Sequence, residues 1–258
     1  MELPAEASGG ALLPRFFTDT AGMSAGGGDR LYISGEDARH IAKVLRVRPG
    51  DRLTLCNGAG TDFLCEVTSV SPDKTECRVL EAKPSVSEPG VRVTIYAAVT
   101  KGDRMDFLIQ KAVELGVFRI VPVITGRCVF VPDEKSRKNR LKRWNRIAYE
   151  ASKQSGRGII PEVGDFIGFK DAVGEAAGAE LALIAYEREE SPLRMALESC
   201  RFGEVSLLTG PEGGFEEREV ELATAAGMVP VSLGKRILRA ETAPLAALAA
   251  IMYSSGNM

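Results

Sequence analysis

The chain has 258 residues, 45% of them hydrophobic and 26% charged, with a formal net charge of −2. That length allows one large domain or two smaller ones with real cores. No apolar run approaches the ~18 residues a bilayer span needs, so no membrane association is expected. Residues 1–14 carry no basic side chain before Arg15 and only a short apolar patch, which predicts a disordered extension rather than a secretory signal. The glycine run at 26–28 reads as a flexible loop. Short β-like runs at 30–33, 51–55, 63–67 and 76–80 are punctuated by turn signals at Asn57-Gly58 and Pro72-Asp73, with a helix over 35–46. This texture predicts a compact β-barrel over 15–85. Phe16 and Phe17 are expected to pack inside it and Arg15 to point outward. Two prolines and two serines mark 84–90 as a linker.

From residue 90 to 258 the pattern alternates strand and helix signals, which predicts an α/β domain with a parallel sheet. Strands are expected at 93–99, 120–124, 181–186, 205–208 and 229–233. Helices are expected from Asp103 to Gly116, over 134–155, from Ser191-Pro192 onward and over 242–255. The helix at 134–155 carries seven Lys or Arg and no acid between Lys135 and Arg146. Leu141, Trp144, Ile147, Ala148 and Ala151 form its apolar stripe, so Trp144 is expected in the core.

The small net charge hides segregation. Residues 1–89 carry −3 (10 basic, 13 acidic), 90–157 carry +9 (15 and 6), and 158–258 carry −8 (8 and 16). A generic polyanion binder would be basic throughout. One basic segment on a slightly acidic chain suits recognition of a nucleic-acid locus by one face, with Arg137 and Arg140 on the basic helix as phosphate contacts. Five cysteines, an odd count without CxxC, read as reduced thiols of a cytoplasmic protein. A single histidine makes a zinc site improbable, and no metal is expected.

Two loops carry the chemistry. Leu207-Leu-Thr-Gly-Pro-Glu-Gly-Gly-Phe215 is an apolar strand running into a glycine loop, and Leu233-Gly-Lys-Arg-Ile-Leu-Arg-Ala-Glu-Thr-Ala243 is the second. Thr242 is expected to cap the helix that follows, with Pro244 in its first turn. Neither loop is a dinucleotide fingerprint or a Walker A motif. Two such loops at neighbouring strand ends would form a pocket of backbone N–H and C=O groups suited to an adenine edge and a ribose. Glu212 could orient substrate, accept a proton or simply fix its loop. Arg239 could pair with Glu241 or Glu212, or face the cofactor or a phosphate with its planar fork of donors.

These loops, together with Pro14-Arg-Phe-Phe17, 40–46, 101–116 and 150–157, resemble the SPOUT-class methyltransferases that act on N3 of uridine in 16S ribosomal RNA. The resemblance runs from about Pro14 to Tyr253. It implies an N-terminal PUA-like barrel that binds RNA and a C-terminal domain with a deep trefoil knot. It implies S-adenosylmethionine as cofactor, held by Leu208, Gly210, Gly213, Leu233, Gly234, Ile237, Leu238 and Thr242, largely through main-chain groups. Arg239 and Glu212 are the catalytic candidates, and Arg15, His40, Arg46, Arg127 and Arg157 join the RNA contacts. A homodimer acting on 16S rRNA or the assembled small subunit follows from the same resemblance. Lys153 and Cys128 depart from the family pattern. The rival readings are the same fold acting on another RNA such as tRNA, and a non-catalytic RNA-binding protein with vestigial loops.

Overall fold

The computed structural model describes residues 13–18 and 30–258. Residues 1–12 of the expected extension and the glycine run at 26–28 lie outside them. The chain divides into two compact units between Val86 and Ser87, inside the 84–90 segment.

In the first unit five strands, β1 (Arg15–Phe17), β2 (Arg30–Ser34), β3 (Arg52–Cys56), β4 (Thr61–Val70) and β5 (Lys74–Pro84), form one sheet in the order β1-β3-β4-β5-β2. Strict alternation sorts the side chains: Leu31 and Ile33 of β2 point inward while Arg30, Tyr32 and Ser34 face out. The inner face collects Phe16, Leu53, Leu55, Phe63, Val67 and Ile41. Two register shifts along β4–β5, at Leu64/Cys65 and Val67/Ser69, bend this long hairpin. The sheet curls until its edges meet, where the Thr18 hydroxyl just after β1 donates to the Tyr32 carbonyl of β2 at 2.7 Å.

The expected helix at 35–46 is present but changes pitch: α1 (Gly35–His40) continues as a π-helix over Ile41–Leu45. It ends at Arg46, whose φ of 52° is the one positive value among the described non-glycine residues. Arg15 corrects its expectation. Rather than pointing into solvent, it donates to Asp62 Oδ1 at 2.7 Å and Ser85 Oγ at 2.8 Å, because Asp62 is a buried carboxylate needing a cation.

The second unit is three-layered. Its strands are β6 (Arg92–Ala98), β7 (Arg119–Ile124), β8 (Glu162–Val163), β9 (Ile167–Gly168), β10 (Leu181–Ala185), β11 (Glu204–Thr209) and β12 (Val229–Val231). All pair in parallel, in the order β12-β10-β11-β6-β7-β8, with β9 also on β7. Alternate residues feed opposite faces. Ile95, Leu183, Leu207 and Val231 join a core containing Trp144 and Ile251. Tyr96, Ile184 and Leu208 join another containing Ala172 and Val220. Helices α2 (Arg104–Glu114), α3 (Glu134–Ser155), α5 (Leu193–Ser199) and α7 (Thr242–Ser254) therefore cover one face, and α4 (Phe169–Ala176) and α6 (Glu217–Ala225) the other. The central strands, wet on neither side, are continuous apolar runs. Helix α3 spans the residues its pattern predicts: Asp133 accepts from Ser136 N at 2.7 Å at its start, and Gly156 in the left-handed region ends it.

Arg157 is the plainest correction. Expected at an RNA entrance, it is 4% exposed. Its guanidinium donates to Glu88 Oε2 at 2.6 Å and to the Val117 carbonyl at 2.6 Å. The Glu88 carboxylate also accepts from the backbone N–H groups of Gly158 and Ile159. Burial alone would raise the Glu88 carboxyl, but Arg157 and those two N–H donors outweigh it, leaving its pKa below the ordinary value.

Candidate functional site

The strand order decides where the loops meet. Because β10 lies between β11 and β12, three loops gather at the carboxyl ends of these strands: 186–192, 210–214 and 232–241. They surround a cavity of about 890 Å³, lined also by Arg104 and Thr209. Carboxyl ends of parallel strands are where open α/β sheets bind ligands.

Each loop has its own anchor. The 210–214 loop is pinned by Phe215, which is buried and tilts against Phe169 with ring centroids 5.7 Å apart. The Gly214 N–H closes a turn onto the Pro211 carbonyl at 2.9 Å. Arg127 Nη1 donates to the Gly213 carbonyl at 3.0 Å, so this arginine, expected to contact RNA, braces the loop. Helix α6 then starts with a capping box between Glu216 and Glu219. In the 186–192 loop the Glu189 carboxylate accepts from the N–H groups of Glu190 and Ser191, both at 2.9 Å, which holds its pKa down. The 232–241 loop is tied to that neighbour: Ser232 N donates to the Ser191 carbonyl at 2.8 Å and Leu193 N to the Ser232 carbonyl at 3.0 Å.

Of the residues expected to hold the cofactor, Gly210, Leu233, Gly234, Ile237 and Leu238 line this cavity. Leu208 is fully buried on β11, one residue short of it. Gly213 lies under Arg127, and Thr242 is exposed on the helix. Thr242 is not the N-cap either: that position is Glu241, and Thr242 opens α7. Arg239 and Glu212 both line the cavity, but not as a pair.

The cation that Glu212 meets is Arg104, from the start of α2, whose Nη1 forms an ion pair with Glu212 Oε1. Arg104 Nε also lies 3.9 Å from Glu241 Oε2. One guanidinium thus faces the carboxylates of both ligand loops. Arg239 is exposed and makes no side-chain ion pair among the described residues, which leaves its donors free. Sequence reasoning missed Arg104, Thr209 and the whole 186–192 loop. Strand order, which periodicity does not encode, is what brings them here.

The pocket suits a cationic nucleoside such as S-adenosylmethionine. It offers carboxylates for positive groups, apolar Leu233, Ile237 and Leu238 for a flat base, and a buried Thr209 hydroxyl with no hydrogen-bond partner among the described residues.

On α3 the basic side chains sort into two kinds. Arg143 is paired with Asp106, and Arg137 donates to the Pro132 carbonyl while stacking 5.7 Å from the Phe166 ring. Arg140 lies 4.7 Å from the Phe130 ring. Lys135, Lys142 and Arg146 are exposed and unpaired among the described residues. In the first unit His40 and Arg46 are exposed on and just after the π-kinked helix, with the His40 ring 6.4 Å from Phe16. Trp144 is buried, as its stripe predicts, and donates to Asp106 Oδ1 at 2.9 Å. Among the described residues no His, Cys, Asp or Glu cluster could hold a metal ion, and no helix is long and apolar enough to cross a membrane.

A parallel α/β sheet with three loops gathered at its carboxyl edge, in a chain that also carries a small curled β-sheet unit, is the architecture of an S-adenosylmethionine-dependent RNA methyltransferase. An RNA methyltransferase domain model matches residues 87–252, and an RNA methyltransferase PUA domain model matches 33–80. The ribosomal RNA small subunit methyltransferase E of Bacillus subtilis is 36% identical over 249 residues, 94% of this chain and 97% of that protein. That of Synechocystis is 37% identical over 82% of this chain and 69% of the relative. The crystal structure of the Neisseria gonorrhoeae ribosomal RNA small subunit methyltransferase E bound to S-adenosyl methionine superposes with a TM-score of 0.79 at 36% identity, covering 93% of this chain and 97% of that one. The chain belongs to the ribosomal RNA small subunit methyltransferase E family.

Proposed function

We propose that this protein transfers the methyl group of S-adenosylmethionine to N3 of one uridine in 16S ribosomal RNA. The observation that carries this reading is the cavity built by three carboxyl-end loops, in a chain whose near-full-length relatives are named for that reaction class. When bound, the cofactor supplies an electrophilic methyl on a sulfonium, whose leaving group is neutral. The protein therefore needs to align the two partners and remove the N3 proton. Leu233, Ile237 and Leu238 would enclose the adenosine, and the Gly210 and Gly234 main chain would approach it closely. Because N3 sits in the pairing edge, the uridine must be unpaired or turned out of its helix first.

The free cations Lys135, Lys142 and Arg146 are placed to hold the RNA backbone, and His40 and Arg46 offer a second set on the barrel. The same family reading makes the substrate 16S rRNA or the assembled small subunit, the working form a homodimer in the cytoplasm, and the C-terminal domain over 90–258 a trefoil-knotted one. Met195 and Tyr253, 62% and 76% exposed, are large apolar side chains that a second copy would cover.

Incubation with labelled S-adenosylmethionine and unmodified small subunits should yield 3-methyluridine in 16S RNA by mass spectrometry of digested nucleosides. Transfer to tRNA alone would overturn the substrate. Replacing Lys135, Lys142 and Arg146 together by Ala should weaken RNA binding without unfolding. The slope of log affinity against log salt should fall by about 2–3, at roughly 0.7–0.9 per lost phosphate contact. An unchanged slope would remove α3 from the RNA interface.

A further inference from the structure

We propose that Glu241 is the group that takes the N3 proton. This rests on the uridine-N3 reading above. Among the described residues five carboxylates line the cavity: Glu187, Glu189, Glu190, Glu212 and Glu241. Glu212 is neutralised by Arg104, and Glu189 is occupied by two backbone N–H groups. Glu187 and Glu190 are exposed to solvent.

Glu241 differs from all four. Its side chain is 15% exposed, and its Oε2 is sealed from solvent with no hydrogen-bond partner among the described residues. The nearest cation, Arg104 Nε, is 3.9 Å from that oxygen, beyond hydrogen-bond reach. A dry carboxylate oxygen without a donor is costly, so a position that keeps one is built for a donor that arrives with a ligand. The uridine N3–H is such a donor, and it is the one proton the reaction must remove. Glu241 also stands at the N-cap of α7, at the end of the loop that carries Leu233 to Leu238. Its backbone is thus fixed by the same segment that lines the pocket.

In the step, entry of the uridine opens the cover over Glu241 Oε2, which then accepts the proton from N3. The freed N3 electron pair forms the N–CH3 bond while the S–CH3 bond breaks with its electron pair going to sulfur. The sulfonium becomes a neutral thioether, and Glu241 returns its proton to solvent after release. Arg104 is a positioning residue: by engaging Glu212 and standing beside Glu241 it holds the two loops in one geometry.

Glu241→Gln keeps the shape and removes the base. Its cofactor dissociation constant, read by calorimetry, should stay within about threefold of the parent, whereas single-turnover methylation should fall by about 100-fold or more. The residual rate should climb with pH as N3 ionises unaided, and subunits carrying the more acidic 5-fluorouridine should recover much of it. A retained rate would overturn the assignment. So would cofactor binding weakened beyond that range, which would make the cofactor Glu241's partner, or a loss that neither pH nor 5-fluorouridine repairs. Parent protein that makes no 3-methyluridine would instead sink the proposed function itself.

Discussion

Replacing Arg157 by Met will destabilise residues 87–258 by about 3–5 kcal/mol, because it strands the Glu88 carboxylate without its cation in a nearly dry site. At about 2–4 °C per kcal/mol for a domain of this size, the melting midpoint should drop by roughly 6–20 °C. Trp144 is the only tryptophan and lies in the core of this unit, so its fluorescence reports the loss directly. Removing both charges, Arg157→Met with Glu88→Gln, should recover part of the stability, since no uncompensated ion remains.

The pH dependence has a definite sign. The folded pKa of Glu88 lies below its ordinary value. Its contribution is therefore present above the unfolded value near ~4.3 and fades as pH falls through the folded one. That acid limb should flatten in the Arg157→Met protein. A loss under about 1 kcal/mol would mean that the pair is not what fastens Glu88 and the 158–159 turn to the α2–β7 carbonyls.

Arg157 also marks where reading the chain in one dimension stops. It follows a run of cations and a helix-ending glycine, so its local context says nucleic acid. Its partner lies 69 residues earlier, in a stretch whose prolines and serines say only linker. Helix α3, by contrast, was legible to the residue through its apolar stripe from Leu141 to Ala151, and Asp133 and Gly156 close it with local chemistry. The central strands were legible because burial on both faces leaves a continuous apolar run.

Strands β8 and β9 were not legible, at two residues each, and α4 contains Gly174 within eight residues, too short for a period to emerge. The π-helical turn at Ile41–Leu45 leaves apolar spacing close to that of an α-helix, so 35–46 reads as one helix. At the site, the two glycine loops were visible as chemistry. The 186–192 loop between them was not, since its place follows from β10 lying between β11 and β12. The expectation of a knot rests wholly on the family resemblance, because nothing in periodicity encodes threading.

The pocket makes an uneven prediction for its own lining. Ile237 is 82% exposed, so Ile237→Ala should leave the melting midpoint unchanged; it is one of three apolar side chains set around the adenosine, so its loss should weaken cofactor binding less than a change in the path of the loop would. Gly234 is the opposite case. Its φ is +100°, and an added Cβ would meet nothing within 4 Å, so any cost of substitution is backbone strain rather than collision. A β-branched residue rarely tolerates that angle, and holding one in it costs about 1–3 kcal/mol. The 232–241 loop can escape this strain by changing path, since residues 234–237 and 239 are exposed. Gly234→Val should therefore leave the fold intact while the binding conformation becomes a minor one. Cofactor affinity should fall by about 5–150-fold, the exchange rate between free energy and binding for that strain. Titration calorimetry alongside thermal melts separates the two possibilities. A large loss of affinity at unchanged stability would place the binding energy in the main-chain shape of the loop. Equal affinities for Gly234→Val and the parent, with Ile237→Ala the weaker binder, would place it in the apolar side chains instead.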